Sequence, residues 1–298
     1  GWNMNAQIED FENRVPYVVR GEGDYGSELF SMTRMYFQLF LYFHAAGKNP
    51  DFYPTLFEEL RKDKLVGWTT SSNRDLVEDA NGFVLGSMDA TYDQLKFVEK
   101  CCSIAQMDLT EFFEAWCFFI PMKNAYVGDY GHHHVYLTQG AIDSCKARIK
   151  AANYPKKGGH LMFLEDRVRK SKKKASILNS DVNGYRADYS DEVPVGTVGK
   201  FGQWEDYIDE TVKAQGYYYA VSDGVVTIIE GDGASGALGF KLYDADTNEL
   251  ISYTNRLSMN VPVNYTNSNL KVTAAQADGE DYVVPHASQG PETMQRQA

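Results

Sequence analysis

The chain has 298 residues and a mass of 33.6 kDa, which is about twice a typical domain length, so we expect two domains. Apolar residues make up 43% and aromatic residues 13%, enough for a packed interior and against global disorder. The formal net charge of −12 disfavours nucleic acid and anionic membrane surfaces as partners. A basic run at residues 146–174 is interpreted as a solvated loop, with an anion or glycan-sulfate patch as the alternative.

Targeting signals are absent from the sequence pattern. There is no run of about 18 uncharged apolar residues and no basic-then-apolar start, so we expect neither a membrane span nor a signal peptide in these residues. The opening at Gly1 without Met indicates a processed form or a piece of a longer protein. No C-x-x-C pair occurs, and Cys102 and Cys145 lie on apolar helical stripes, which predicts buried free thiols.

The first half of the sequence is typical of helices. Residues 27–46 predict one long helix with Ser27 as its N-cap and Gly47 after its end, and its apolar residues predict burial on most sides. A second helix is expected around residues 55–62, after the break at Pro54. A third is expected around residues 91–105, with its core face formed by Leu95, Val98, Cys102 and Ala105.

Two further helices are predicted from their first residues. Asp108 and Glu111 have the spacing of a capping box and predict a helix that stops before Pro121. Thr138 predicts the start of a helix that runs through residue 152. Its expected inner face contains Ile142, Cys145 and Ile149.

The second half of the sequence is typical of strands. Short β-branched and aromatic runs predict strands at 160–164, 217–221, 225–230, 237–243, 249–254, 257–261, 270–274 and 281–284. The period of two places Lys241 on the solvent side of its strand. We therefore expect an α+β multidomain fold, an N-terminal α-helical bundle followed by an antiparallel β-sandwich-like domain.

The domain boundaries follow from this change of pattern. The helical part is expected over residues 1–152 and the β-rich domain over residues 153–290, with its core at about 215–285. Residues 291–298 are expected to form a flexible tail.

Several motifs favour structural interpretations. The G-x-G-x-x-G match at residues 231–236 predicts a turn, and the match at 21–26 lacks a βαβ unit and places acidic residues where phosphates would lie. Residues 244–248 begin like a calcium loop but lack its Gly and its final Glu, which predicts a hairpin turn.

Two clusters carry possible chemistry. Glu111 and Glu114 have a spacing that could present an acid and a base, although Glu111 is also assigned to the capping box. In an extended segment His132 and His134 would point the same way, but no third ligand stands at a known zinc spacing, so adventitious metal binding is favoured. No H-E-x-x-H zinc-peptidase motif occurs.

Several segments resemble one known family. Residues 31–61 (SMTRMYFQLFLYFHAAGKNPDFYPTLFEELR), 108–119 (DLTEFFEAWCFF) and 137–149 (LTQGAIDSCKARI) resemble the C-terminal helical part of the enhancin-like, mucin-degrading M60 zinc metallopeptidases. Residues 236–262 and 270–284 are similar to the β-rich domain that follows it. Cys117 departs from the Gly expected after the Trp, which puts the end of that helix in doubt.

The resemblance implies a secreted or cell-surface peptidase, with zinc in a catalytic part. The family's H-E-x-x-H helix and downstream Glu ligand have no match here, so no catalytic or metal-binding residue is carried over. The chain is therefore expected to be a non-catalytic C-terminal segment, inactive alone. Its expected partners are the upstream catalytic module of the same protein and a glycoprotein or glycan substrate.

Two other functions remain open. One is a stand-alone carbohydrate- or protein-binding adhesion module whose exposed aromatic residues stack on sugars; the other is a carboxylate hydrolase that uses Glu111 and Glu114. If part of a substrate cleft lies in this chain, the candidates are Tyr130, His132 and His134 in a Gly-rich loop, with Trp116 behind them.

Overall fold

A computed structural model of the chain describes residues 4–20, 29–63, 77–78, 84–85, 90–128, 132–164 and 210–289. The helices in these ranges are α1 (Met4–Glu12), α2 (Leu29–Phe40), α3 (Phe52–Lys62), α4 (Ala90–Ala105), α5 (Thr110–Ala115) and α6 (Gln139–Ala152). We call the described residues up to 164 the helical half and residues 210–289 the β domain. This order confirms the α+β fold, with a helical part followed by antiparallel sheets.

The strands are two to eleven residues long. In the helical half they are β1 (Val77–Glu78), β2 (Val84–Leu85), β3 (Met122–Gly128) and β4 (His132–Leu137). In the β domain they are β5 (Gln215–Ser222), β6 (Val225–Ser235), β7 (Gly239–Asp244), β8 (Leu250–Thr254), β9 (Ser258–Asn260), β10 (Leu270–Ala275) and β11 (Asp281–Val283).

Helix α2 changes its winding before it ends. It continues as a π-helix over Leu41–Ala45, and Gly47 follows with a φ of +69°, as predicted for the residue after the helix. Met35 and Leu39 are fully buried, whereas the Tyr36 side of the helix remains accessible. The prediction of burial on most sides is therefore confirmed around Met35 and Leu39 and wrong on the Tyr36 side. The predicted cap Ser27 lies outside those residues.

Helix α3 begins three residues earlier than predicted. It starts at Phe52 and includes Pro54 in its first turn. Backbone N–H groups in the first turn have no acceptor within the helix, so a proline there removes no helical hydrogen bond. The early start places the Phe52 ring against Phe43, with ring centroids 4.1 Å apart.

Helices α4 and α6 agree with the sequence pattern. Leu95, Val98 and Cys102 are buried on α4, and Cys145 is buried on α6. The side chain of Thr138 caps α6 by accepting a hydrogen bond from the backbone N–H of residue 141. All four cysteines are free and buried, which confirms the prediction of buried thiols.

Helix α5 is shorter than predicted because it ends in a Schellman motif. The N–H of Cys117 donates to the carbonyl of Glu114, and the N–H of Phe118 donates to the carbonyl of Phe113. Cys117 has a φ of +58° in this motif, a conformation that favours glycine. The departure at Cys117 therefore falls where the backbone prefers Gly.

The β domain contains two antiparallel sheets. One has the strand order β11-β10-β7-β8 and the other the order β5-β6-β9. They share an apolar cluster in which Val226 and Ile228 of β6 lie with Leu242 of β7 and Val272 of β10. The predicted turn at residues 244–248 is the hairpin between β7 and β8, in which Asp244 accepts from two backbone N–H groups.

One strand prediction and one turn prediction are wrong. Residues 160–164 lie largely in a 3₁₀ helix, Gly159–Phe163, in which all five residues are buried. Continuous burial leaves no periodicity in the sequence to separate a helix from a strand. Residues 231–235 extend β6 rather than form the predicted turn, because a bulge lets Ser235 pair with Gln215 after Glu230 pairs with Tyr217.

The four-stranded sheet is covered on both faces. Its second face packs on the helical half, where Tyr253 of β8 and Ala275 of β10 join the same apolar cluster as Phe112 of α5. The hydroxyl of Tyr253 donates to the carbonyl of Ala115 at 3.0 Å. The two halves of the chain therefore share one continuous interior.

Candidate functional site

The predicted cleft residues have different environments. Trp116 is 1% exposed, and its Nε1–H donates to Oε1 of Gln38 at 2.8 Å, so it is a core residue in this structure. His132 and His134, predicted in a Gly-rich loop, instead lie in strand β4, where they pair with Gly128 and Tyr126. Tyr130 lies outside the described residues. The cleft formed by these residues stays a prediction.

The two glutamates of α5 bind different lysines. Oε2 of Glu114 lies 2.6 Å from Nζ of Lys146 on α6, within the helical half. Oε1 of Glu111 lies 2.8 Å from Nζ of Lys241 on β7. The capping box is therefore wrong for Glu111, although Asp108 does accept from the N–H of Thr110. Each carboxylate is engaged by an ammonium group, which offers no support for the acid and base pair.

Lys241 is the most deeply buried charge at the junction of the two halves. It is 2% exposed, against the prediction that it faces solvent. The prediction is wrong because a period of two assumes one solvated face, and both faces of this sheet are covered. Burial acts to lower the pKa of Lys241, but the carboxylates of Glu111 and Asp281 outweigh it and raise the pKa. The lysine therefore carries its charge inside the protein.

Hydrogen bonds complete this junction. The hydroxyl of Tyr243 donates to Glu111 Oε1 at 2.8 Å, and the hydroxyl of Thr273 donates to Asp281 Oδ2 at 3.0 Å. Burial, followed by the two nearby carboxylates, raises the pKa of Tyr243, so it remains a hydroxyl donor. Sequence reasoning missed this cluster, and the one signal was a lysine at a strand position between apolar residues.

His160 lies buried beside the same junction. Its ring packs edge-on against Tyr42 with centroids 5.1 Å apart. Burial lowers the pKa of His160 to about 4, and the positive charge of Lys241 acts in the same direction. The imidazole is therefore neutral near pH 7.

An apolar groove of about 670 Å³ opens on the helical half, between α2 and α3. It is lined by Thr33, Tyr36, Phe37, Phe40, His44, Tyr53, Pro54 and Phe57. Tyr36 is 42% exposed and Phe57 is 62% exposed. The Tyr53 hydroxyl is already engaged, since it donates to the carbonyl of Tyr36. The groove offers aromatic surface with few free polar groups.

The described residues do not supply a zinc site. No three His, Cys, Asp or Glu side chains in the described part of the chain lie close enough together to hold a metal ion. A catalytic zinc needs three protein ligands and an open position. Among the same residues, no helix has the length and apolar character needed to cross a membrane.

Comparison with known proteins finds a family match within the β domain. Residues 216–283 match the family model of the Peptidase M60 C-terminal domain. A search of curated proteins gave no significant match.

Solved structures show the same fold over nearly the whole chain. A metallopeptidase from Bacteroides thetaiotaomicron is 23% identical with a TM-score of 0.61, over 94% of this chain and 41% of that chain. A metallopeptidase in complex with Tn antigen is 24% identical with a TM-score of 0.56, over 91% of this chain and 45% of that chain. The chain thus spans less than half the length of either structure. The match at residues 216–283 confirms the predicted resemblance to the C-terminal part of the M60 metallopeptidases, and these solved structures share the fold of the chain.

Proposed function

We propose that this chain is a non-catalytic C-terminal segment of a secreted or cell-surface zinc metallopeptidase that acts on glycoproteins such as mucins. The observation that carries the proposal is the M60 C-terminal domain at residues 216–283, packed on helices in a chain without H-E-x-x-H. The Tn antigen bound to one structural relative supports a glycosylated substrate. Zinc, which polarises a carbonyl and activates water when bound, would be held by residues ahead of this chain.

In this proposal the helical half forms one wall of the substrate cleft. The aromatic groove between α2 and α3 supports such a role, because apolar grooves that open to the surface mark contacts with other parts of a protein or with ligands. The solved relatives are more than twice the length of the part this chain matches. We therefore assign the groove to contact with the module that precedes this segment.

The β domain acts as a brace in this proposal. It packs on the helical half through a shared apolar interior and through the contacts of Lys241 with Glu111. A wall that borders a cleft must keep its position while substrate binds, and packing against a second domain reduces its freedom to move. No step of hydrolysis is assigned to a residue of this chain.

The test compares two proteins. The chain 1–298 and the longer protein that includes the coding sequence ahead of Gly1 are each incubated with a mucin-type glycoprotein and zinc, with and without a chelator. We expect that only the longer protein cleaves the glycoprotein and that the chelator abolishes this cleavage. Cleavage by residues 1–298, or one tightly held zinc ion per chain, would contradict the proposal.

A binding module remains the second candidate. The exposed ring of Tyr36 favours it, since aromatic rings stack on sugars. A glycan array distinguishes the two: binding by the isolated chain that is lost in Tyr36→Ala supports the module, whereas no binding supports the scaffold segment.

A further inference from the structure

The Lys241 ammonium group joins three parts of the chain. Its Nζ lies 2.8 Å from Oε1 of Glu111 on α5 and 2.7 Å from Oδ1 of Asp281 on β11. The Glu111 and Asp281 side chains are 31% and 28% exposed, so the charge is buried while its partners reach the rim of the junction. The helical half and the β domain each provide one of the two carboxylates.

The third part is the 3₁₀ helix, which approaches the ion pair through Gly159. A Cβ atom on Gly159 would lie 2.7 Å from Glu111 Oε1 and 3.1 Å from Lys241 Nζ. Any larger residue would therefore displace the ion pair. The backbone at this position therefore lies directly against the ion pair.

The ion pair of Lys241 depends on exact positions more strongly than the apolar packing around it does. Apolar burial is non-directional and tolerates small shifts between two surfaces. A buried ammonium between two carboxylates does not, because a displacement leaves a charge without a partner in a poorly solvated place. Tyr243 and Thr273 fix the two carboxylates further, since each donates a hydrogen bond to one of them.

We propose that Lys241 is a positioning residue that fixes one orientation of the β domain against α5 through Glu111. This inference rests on the proposed function, in which the β domain braces the wall formed by the helices. Buried ion pairs often add little net stability compared with apolar residues of similar size. The main effect of Lys241 is therefore on the specificity of the docked arrangement.

The test uses hydrogen exchange of the full chain, followed by mass spectrometry. The variants are Glu111→Gln, Lys241→Met and the matched control Glu114→Gln, which breaks an ion pair of the same helix inside the helical half. For the first two we expect protection to fall by about tenfold or more at the junction, in α5 and β10–β11. Protection in α4 and in β6 should stay unchanged, and the control should resemble wild type at the junction.

Two results would overturn the proposal. One is a uniform loss of protection across the chain, which is what a general stabilising role predicts. The other is no change at the junction. Glu111→Gln keeps Lys241 paired with Asp281, so this variant should fold even if Lys241→Met does not. The measurement needs no peptidase activity, so its outcome is independent of the activity test of the proposed function.

Discussion

The indole N–H of Trp116 on the turn after α5 donates a hydrogen bond to Oε1 of Gln38 on α2, at 2.8 Å. The amide of the same Gln38 donates to the carbonyls of Met162 and Leu164. One buried side chain therefore connects three segments that are distant in sequence. Its loss leaves several buried polar groups without partners.

We expect Gln38→Leu to lower the free energy of unfolding by about 3 kcal/mol, because buried unpaired polar groups keep their desolvation cost. Urea denaturation measures the change. Gln139→Leu is the control, since Gln139 is exposed at the start of α6. Equal effects of the two substitutions would show that the Gln38 hydrogen bonds add nothing.

His160 predicts a loss of stability in acid. In the unfolded chain its pKa is near 6.5, whereas burial lowers the pKa in the folded state to about 4. Unfolding therefore takes up a proton between these pH values. The contribution of the neutral His160 to the free energy of unfolding is fully present above pH 6.5, and it falls by about 3 kcal/mol as the pH drops to about 4.

The measurement compares urea unfolding of wild type and His160→Gln from pH 7 to pH 4. Lys241, Lys157 and Asp278 act on His160 and remain in both proteins, so the difference between the two curves isolates the imidazole. The exposed His44→Gln variant should follow wild type. Parallel curves for wild type and His160→Gln would rule out this origin of acid sensitivity.

The backbone conformation at Cys117 predicts an unusual order of stability among its variants. Its φ of +58° lies in the left-handed region, which costs a residue with a side chain about 1 kcal/mol relative to Gly. We expect Cys117→Gly to be more stable than Cys117→Ala by about that amount. Cys102 lies inside α4, where the order should reverse because Gly weakens a helix. Thermal unfolding of the four variants checks both orders, and the same order at both sites would contradict the prediction.

Two phenylalanines of α3, one buried and one at the aromatic groove, should differ in how much their substitution lowers stability. Phe52 is fully buried, so Phe52→Ala should cost about 4 kcal/mol of stability. Phe57 borders the groove and is largely exposed, so Phe57→Ser should change stability by about 0.5 kcal/mol or less. In the longer protein, Phe57→Ser should nevertheless reduce glycoprotein cleavage. Unchanged cleavage would show that the groove is not needed for glycoprotein cleavage.

Local signals in the sequence predicted the parts of the fold that depend on local chemistry. Thr138 caps α6 as expected, and the core positions of α4 follow from the helical period. The Asp244 turn was also predictable, because an aspartate at that place can accept from the backbone N–H groups that follow it. These features need no knowledge of distant contacts.

The junction could not be predicted from local signals. Glu111 has the spacing of a capping box, but its carboxylate is drawn to Lys241, which is 130 residues away in the sequence. The alternation of apolar and polar residues around Lys241 predicted a solvent-exposed side chain, because no local signal shows that a helix covers the strand. The π-helix after α2 likewise has no sequence pattern that distinguishes it from an ordinary helix. For Glu111 and Lys241, tertiary packing decided the result.

Tyr253 and Ala275 lie within residues 216–283 but are buried against the helices. Cloning those residues alone would bring this apolar surface into water and would leave the Lys241 charge without Glu111. Such a truncated protein should aggregate or bind unfolded chains non-specifically. Truncations for expression should therefore keep α5 and the 3₁₀ helix together with the strands, because the packing of the β domain extends beyond the segment that matches the family model.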